Sequence, residues 1–357
     1  MLKIYSYTLP FVTPFVTSNT SYKEREGLIL VFEHNGITAF GEVAPLPGFS
    51  SFSIKDILPI LKINAEVINS ALKDDEFQQL YSVLNQIHSI PSLKFGMDTL
   101  YHDLQAKKAG ISLAKYLFKD SFQNSIDVNA TLGIESSKIT LQKADKLSRQ
   151  GFRTLKIKVG SDFEKEFTVL SLLRKEFPDL KIRIDANQSW TYETAYLNLK
   201  TLEHLKLEYC EEPLLSTERN RLPELKQSVK LNLAADESFR NKTDALTLSE
   251  QNAVHTFILK PMMFGSFSEI NVTKQLANSH YISVVLTTSL ESIIGRTVTA
   301  ILALGWGSQN FAHGLSTGSL LKSDIGSGNY IKNGVFTDPK KPGIGIDLNF
   351  NCLKRII

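Results

Sequence analysis

Residues 154–160 read TLKIKVG, a short β-rich run set between Gly151 and Gly160. Strand side chains alternate with a period of two, so Lys156 and Lys158 share one face. On a solvent face two such lysines are ordinary. Inside a barrel they are two ammonium groups side by side, which is costly unless anions stand next to them. What surrounds the run therefore decides how it is read.

Outward from it the same texture repeats. SIDVNATLG, KIRIDAN, LEYCEEP, LNLAADES, VHTFILKP, ISVVLTTS and SQNFAHG are also short and β-rich, with helix-like stretches such as DFEKEFTVLSLLRKEF between most of them. Together these make about eight strands at roughly 25-residue spacing, the length of one strand–helix unit, which predicts an α/β fold with a (β/α) barrel over residues 121–325. Residues 1–120 read as an α+β unit. LKIYSYTLPF and EGLILVFEHNGITAFGEVAPLPG alternate around a hairpin signal at Asn35-Gly36. Helical patterns follow over roughly 53–118, with Gly110 as a stop signal. The last stretch, 326–357, carries turn residues (Gly326, Gly328, Gly334, Pro339, Pro342, Gly343) and is expected to return and pack on the N-terminal strands.

Bulk properties narrow the function classes. Lysine and arginine number 40 against 37 acidic residues, a net charge of +3 with the signs interspersed, so nucleic acid is not the expected partner. The two cysteines, Cys210 and Cys352, lie far apart and suit a reducing, cytoplasmic setting rather than a disulfide framework or thiolate zinc site. The first 20 residues are broken by Pro10, Thr13 and Pro14 and do not read as a signal peptide. No apolar run approaches the roughly 18 residues of a membrane span. No glycine-rich phosphate loop is present, which counts against nucleotide cofactors.

In a barrel of this type chemistry sits where strands end. The second strand ends with Lys156 and Lys158, the third with Asp185 and Asn187, and the fourth with Glu211 and Glu212. The fifth ends with Asp236 and Glu237 and the sixth with Lys260. A single carboxylate after a strand is most often a helix cap or a solvated loop residue. Acidic ends on three successive strands, flanked on both sides by lysines, point instead to one converging site. Carboxylates gathered there repel unless a hard cation joins them. Mg2+ suits oxygen ligands and keeps positions open for substrate oxygens, and Mn2+ shares that preference. A carboxylate substrate on such a metal is primed for loss of the neighbouring proton. The lysine that takes it needs a pKa below its usual range of about 10.4, and a metal and a second lysine are expected to push it down.

The stretches KIKVG, IDANQSW, YCEEPL, AADES and ILKP, in this order and spacing, resemble the muconate-lactonizing branch of the enolase superfamily along nearly the whole chain. Use of a lysine base with Mg2+ to stabilise an enediolate is a known property of that superfamily, not a consequence of the spacing. The resemblance implies a modified TIM barrel with an N-terminal capping domain and a tail that packs on it. By its motifs Asp185, Glu211 and Asp236 match the metal ligands, with Glu212 an alternative to Glu211. Lys158 matches the base and Lys260 the lysine on the opposite face. Lys156, Asn187 and Glu237 look like residues that hold these in place. TPFVTS and PLPGFSSF fall where specificity loops are expected, which makes Phe15 and Phe49 candidate substrate contacts, along with Ser289, Glu291 and Gly314.

Within the branch, TTSLESIIGR, HGLSTGSLLKSDI and GEVAPLPGFS look like o-succinylbenzoate synthase, which dehydrates 2-succinyl-6-hydroxy-2,4-cyclohexadiene-1-carboxylate in menaquinone biosynthesis. Dipeptide epimerases of the superfamily hold the substrate ammonium with an aspartate pair after the eighth strand. Here that place has Leu315 and Ser316, which demotes an epimerase. N-acylamino acid racemases use the same two lysines and stay as an alternative. Outside the superfamily, a Schiff-base aldolase would use a barrel lysine as nucleophile but has no need of three carboxylates. A non-catalytic barrel would be expected to lack some of the five central residues, and all are present. The partner implied is a small carboxylate, with a homo-oligomer possible. His255 and Cys210 are expected to be packing residues.

Overall fold

A computed structural model of the chain describes residues 1–16, 21–76, 80, 90–328 and 330–357. The chain opens with three antiparallel strands, β1 (Leu2–Val16), β2 (Ser21–His34) and β3 (Ile37–Val43). Asn35 and Gly36 join β2 to β3 with φ of 50° and 76°, the two positive values a tight hairpin turn requires. Along β2 the period of two sorts the side chains. Leu28, Leu30 and Phe32 face helices Ile54–Ile63, Ala65–Lys73 and Pro91–Lys108, whereas Ile29 and Val31 join the core shared with the barrel. Both faces are covered, which is why the strand reads as an unbroken apolar run. The helical patterns expected over 53–118 become these three helices and Leu113–Phe118. Residues 77–79 and 81–89 lie outside the described residues, as do the last two positions of TPFVTS.

After β4 (Ser125–Asp127) come β5 (Ala130–Leu132), β6 (Thr154–Lys158), β7 (Lys181–Asp185), β8 (Cys210–Glu211), β9 (Leu233–Ala235), β10 (Thr256–Leu259) and β11 (Ser283–Leu286). The seven from β5 to β11 form one parallel sheet in chain order, with helices between successive strands. The eighth run, SQNFAHG, does not make a regular strand. It closes the ring through single bridges, His313 to Val128 and Gly314 to Thr287. The Gly314 amide donates to the Leu286 carbonyl (3.0 Å) on one side, and the His313 amide to the Asp127 carbonyl (2.8 Å) on the other. A Cβ at Gly314 would stand 2.6 Å from Thr287 Cγ2, so only glycine lets the closing segment come this near. The architecture is an α/β modified TIM barrel with a capping domain.

Inside the ring lies a small core of Tyr209, Ala234, Ile258 and Val285, with Phe311 against it. Tyr209, Ala234 and Ile258 each sit two residues before Glu211, Asp236 and Lys260. Strand alternation therefore turns those three polar residues inward at the rim above this core.

The tail divides. β12 (Gly326–Ser327) pairs with β15 (Asp347–Leu348), while β13 (Ile331–Lys332) and β14 (Val335–Thr337) form a small sheet with β4. β16 (Lys354–Arg355) pairs with β1 in the N-terminal sheet. Among the described residues no helix is long and apolar enough to cross a membrane.

Candidate active site

Strand register sets the rim. Lys158 lies opposite Asp185, and Asp185 opposite Glu211. Asp236 directly follows β9 and Lys260 directly follows β10, so the carboxylate-bearing ends stand between the two lysine-bearing ends. The Lys156 ammonium is 2.6 Å from Glu211 Oε1 and 2.8 Å from Asp185 Oδ2. Lys260 Nζ lies 2.5 Å from each oxygen of Asp236. Lys158 Nζ donates to Asn187 Oδ1 (2.9 Å), and Asn187 Nδ2 in turn donates to Glu237 Oε1 (3.1 Å). Eight residues singled out from the sequence thus form three polar groups on one rim. Asn187, Gln188 and Glu212 take φ of 43°, 61° and 42°, a left-handed conformation unusual for residues with side chains and typical of constrained functional turns.

Burial and then Asp185 push the Glu211 carboxyl well above its usual range. Burial alone would lower Lys156, but Asp185, Glu211 and Asp236 together hold it well above the ordinary lysine value. Lys260 follows the same pattern, with burial outweighed by Asp236 and Glu237. The direct partners of these two lysines are carboxylates rather than each other, which favours their charged forms. Burial, then Glu237, lifts Glu212 to about 7. Its carboxylate accepts from the Asp236 amide (2.8 Å), the Ser238 amide (3.1 Å) and Ser238 Oγ (2.6 Å). Glu212 therefore braces the turn after β9, while Glu211 shares Lys156 with Asp185.

Among the described residues no three His, Cys, Asp or Glu side chains form a preassembled cage for a metal ion. Asp185 and Glu211 are drawn onto Lys156, and Asp236 onto Lys260. The donor set nonetheless fits a hard divalent cation. It is all oxygen, the mutual repulsion that raises Glu211 is of the kind such a cation relieves, and Glu237 Oε2 is buried with no hydrogen-bond partner.

Phe49 lines a cavity of about 310 Å3 together with Asp236, Glu237 and Lys260. Phe15, Ser289, Glu291 and Gly314 are not part of that lining. Phe15 packs beside Phe11, ring centroids 5.9 Å apart. Ser289 donates to Glu291 through its amide (2.7 Å) and hydroxyl (2.8 Å), and Glu291 is fully buried. His255 Nδ1 accepts from the Leu233 amide (3.1 Å), and burial lowers the ring to about 4. Cys210 is buried in the core between sheet and helices.

Sequence reasoning gave no role to Glu42. From β3 it accepts from Tyr7 Oη (2.5 Å), the Ser292 amide (2.8 Å) and hydroxyl (2.6 Å), and the Gly295 amide (2.7 Å). It thereby caps helix Ile293–Trp306 of the barrel from the other domain. A lone glutamate in an otherwise apolar strand was the available signal.

Comparison with known proteins follows the same lines. Residues 140–351 match the family described as enolase C-terminal domain-like, and residues 1–104 match the MenC N-terminal domain. The chain belongs to the enolase superfamily, and an enzyme of that superfamily is what its fold and rim describe. A hydrophobic dipeptide epimerase of Enterococcus faecalis is 27% identical over 77% of this chain and 78% of its own. An o-succinylbenzoate synthase of Proteus mirabilis is 25% identical over 90% of this chain and 92% of its own. The structure of a dipeptide epimerase from Enterococcus faecalis complexed with Mg and the dipeptide L-Leu-L-Tyr superposes with a TM-score of 0.86 at 23% identity. That likeness covers 97% of this chain and 98% of the other.

Proposed function

We propose that this chain is an o-succinylbenzoate synthase, a hydro-lyase that removes water from 2-succinyl-6-hydroxy-2,4-cyclohexadiene-1-carboxylate in menaquinone biosynthesis. The observation that carries the chemistry is the pair Lys158 and Lys260, brought from β6 and β10 to either side of Asp185, Glu211 and Asp236. Two observations favour dehydration over epimerisation. The N-terminal domain, whose loop bearing Phe49 reaches the cavity beside Lys260, matches the MenC domain. After the closing segment, Leu315 is buried and Ser316 Oγ donates to the Asn129 carbonyl (2.8 Å), so no carboxylate pair stands there to hold a dipeptide ammonium.

When bound, Mg2+ held by Asp185, Glu211 and Asp236 supplies the positive charge that favours ionisation of a carbon next to a carboxylate. Lys158 Nζ, steered by Asn187, takes the proton α to the carboxylate. The released electron pair forms the new ring double bond as the C–O bond breaks. Lys158 returns its proton to the departing hydroxide, and o-succinylbenzoate and water leave from one face of the ring. The Lys260 cation faces the ring from the other side. Aromatisation makes the elimination strongly downhill.

Epimerisation is the second reading. The same lysine pair can exchange a proton at an α carbon, and the epimerase relatives are as similar as the synthases. The test is to incubate purified protein and Mg2+ with the cyclohexadiene acid and follow o-succinylbenzoate by ultraviolet absorbance. Turnover abolished by EDTA and by Lys158→Ala is expected. No turnover by the intact protein sinks the assignment, and turnover indifferent to EDTA points to Schiff-base chemistry.

A further inference from the structure

The cavity beside Lys260 has a wall that the dehydration chemistry does not use. Phe49, Phe52, Phe239, Phe264 and Met263 make it largely aromatic, and Arg240 stands at its edge. Arg240 Nε donates to the Glu237 carbonyl (3.0 Å), which anchors one side of the guanidinium. Arg183, Arg221 and Arg296 each rest on a carboxylate. Among the described residues Arg240 forms no such ion pair. Of the acids that share the cavity, Asp236 is engaged by Lys260 and Glu237 Oε1 by Asn187, and Glu237 Oε2 is buried. A cation with free donors at the edge of an aromatic pocket is complementary to an anionic group carried on an apolar body.

We propose that Arg240 receives the second, distal carboxylate of a dianionic substrate whose body lies against the aromatic wall. This rests on the synthase reading. That substrate carries one carboxylate on the ring, next to the reacting carbon, and another at the end of its succinyl chain. With the ring between Lys158 and Lys260, the chain extends toward Arg240, whose planar fork accepts a carboxylate through two hydrogen bonds. A substrate that presents an ammonium at this edge meets a like charge, so Arg240 also selects against dipeptides.

The probes are o-succinylbenzoate and 2-propionylbenzoate, which share ring, ring carboxylate and ketone and differ only in the distal carboxylate. Calorimetric titration with Mg2+ present would compare the wild type, Arg240→Gln and Arg240→Lys. The wild type is expected to prefer the dianion by roughly tenfold, a modest value because the arginine is exposed. Arg240→Gln is expected to lose that preference while still binding 2-propionylbenzoate, and Arg240→Lys to keep part of it. In turnover, Arg240→Gln should raise KM far more than it lowers kcat. A wild type that turns over the cyclohexadiene acid, paired with an Arg240→Gln that keeps the full preference or weakens both ligands equally, overturns this inference alone. A wild type that neither turns over the acid nor binds o-succinylbenzoate overturns the synthase reading and this inference with it.

Discussion

Lys156 and Lys158 stand two residues apart on one strand and meet different surroundings. The Lys156 side chain is 17% exposed and bridges two buried carboxylates, whereas Lys158 is exposed and its side chain donates to Asn187 alone. Lys156→Met would strand Asp185 and Glu211 without their counter-ion, and breaking a buried pair in this way costs about 3–5 kcal/mol. Lys158→Ala removes a surface group and should change stability by no more than about 0.5 kcal/mol. Activity is expected to respond the other way, with Lys158→Ala lowering kcat by roughly 10²- to 10⁴-fold, the usual contribution of a general base. Urea unfolding and initial rates on both variants would check this, and equal loss of stability would contradict it. The period of two in TLKIKVG made the shared face of these lysines legible. The partners that raise Lys156 lie 29 to 80 residues away and come together only through the barrel. Arg183 shows what the same rule offered and was not used for. It sits two residues before Asp185 and shares its inward face, where it donates to Glu208 (2.5 Å) and lies over the Tyr209 ring (4.7 Å).

At the scale of elements, the closing segment and the joint between domains carry the consequences. The His313 ring is fully buried and accepts at Nδ1 from the Leu286 amide (3.0 Å), so it must stay neutral there. Burial, then Arg183, lowers it to about 3. Between the unfolded value of about 6.5 and 3, the unfolded chain binds a proton that the folded ring refuses. The contribution of His313 to folding stability is therefore complete above pH 6.5 and falls as pH drops, by about 1.4 kcal/mol per pH unit once the unfolded histidine is charged. Urea midpoints from pH 7 to 5 should fall less steeply in His313→Gln than in the wild type, and the difference between the two slopes is the share of His313 beside those of His255 and Glu212. Identical slopes would mean that His313 does not carry this pH dependence. At the domain joint, Glu42→Ala strands the Ser292 and Gly295 amides and the Tyr7 hydroxyl, a loss of about 3 kcal/mol or more at the usual cost of buried unpaired groups. Glu42→Gln keeps an acceptor and should lose less. A Glu42→Ala protein as stable as wild type in urea would count against the joint. SQNFAHG looked like one more strand because its composition is strand-like. It pairs through single bridges instead, with Gly314 lying close against Thr287.

For the whole molecule, the hairpin at Asn35-Gly36, the repeat of strand and helix, and the polar strand ends were readable because each depends on residues near in sequence. The division of the tail was not, since β14 pairs with β4 and β16 with β1 across more than 200 residues of chain. Nor was the choice among reactions, because the lysines and carboxylates are compatible with dehydration, racemisation and epimerisation alike. On the proposed reading, what separates these is the cavity between domains, where Phe49 from one domain meets Lys260 and Arg240 from the other. We propose that this cavity is built for the dianionic cyclohexadiene acid. Its most direct test is a side-by-side measurement of kcat/KM, with Mg2+, for that acid, for an N-succinylamino acid and for a hydrophobic dipeptide. Dehydration is expected at or above about 10⁴ M−1 s−1, within the normal enzymatic range, and well ahead of both other reactions. Dipeptide epimerisation or racemisation faster than dehydration would contradict it.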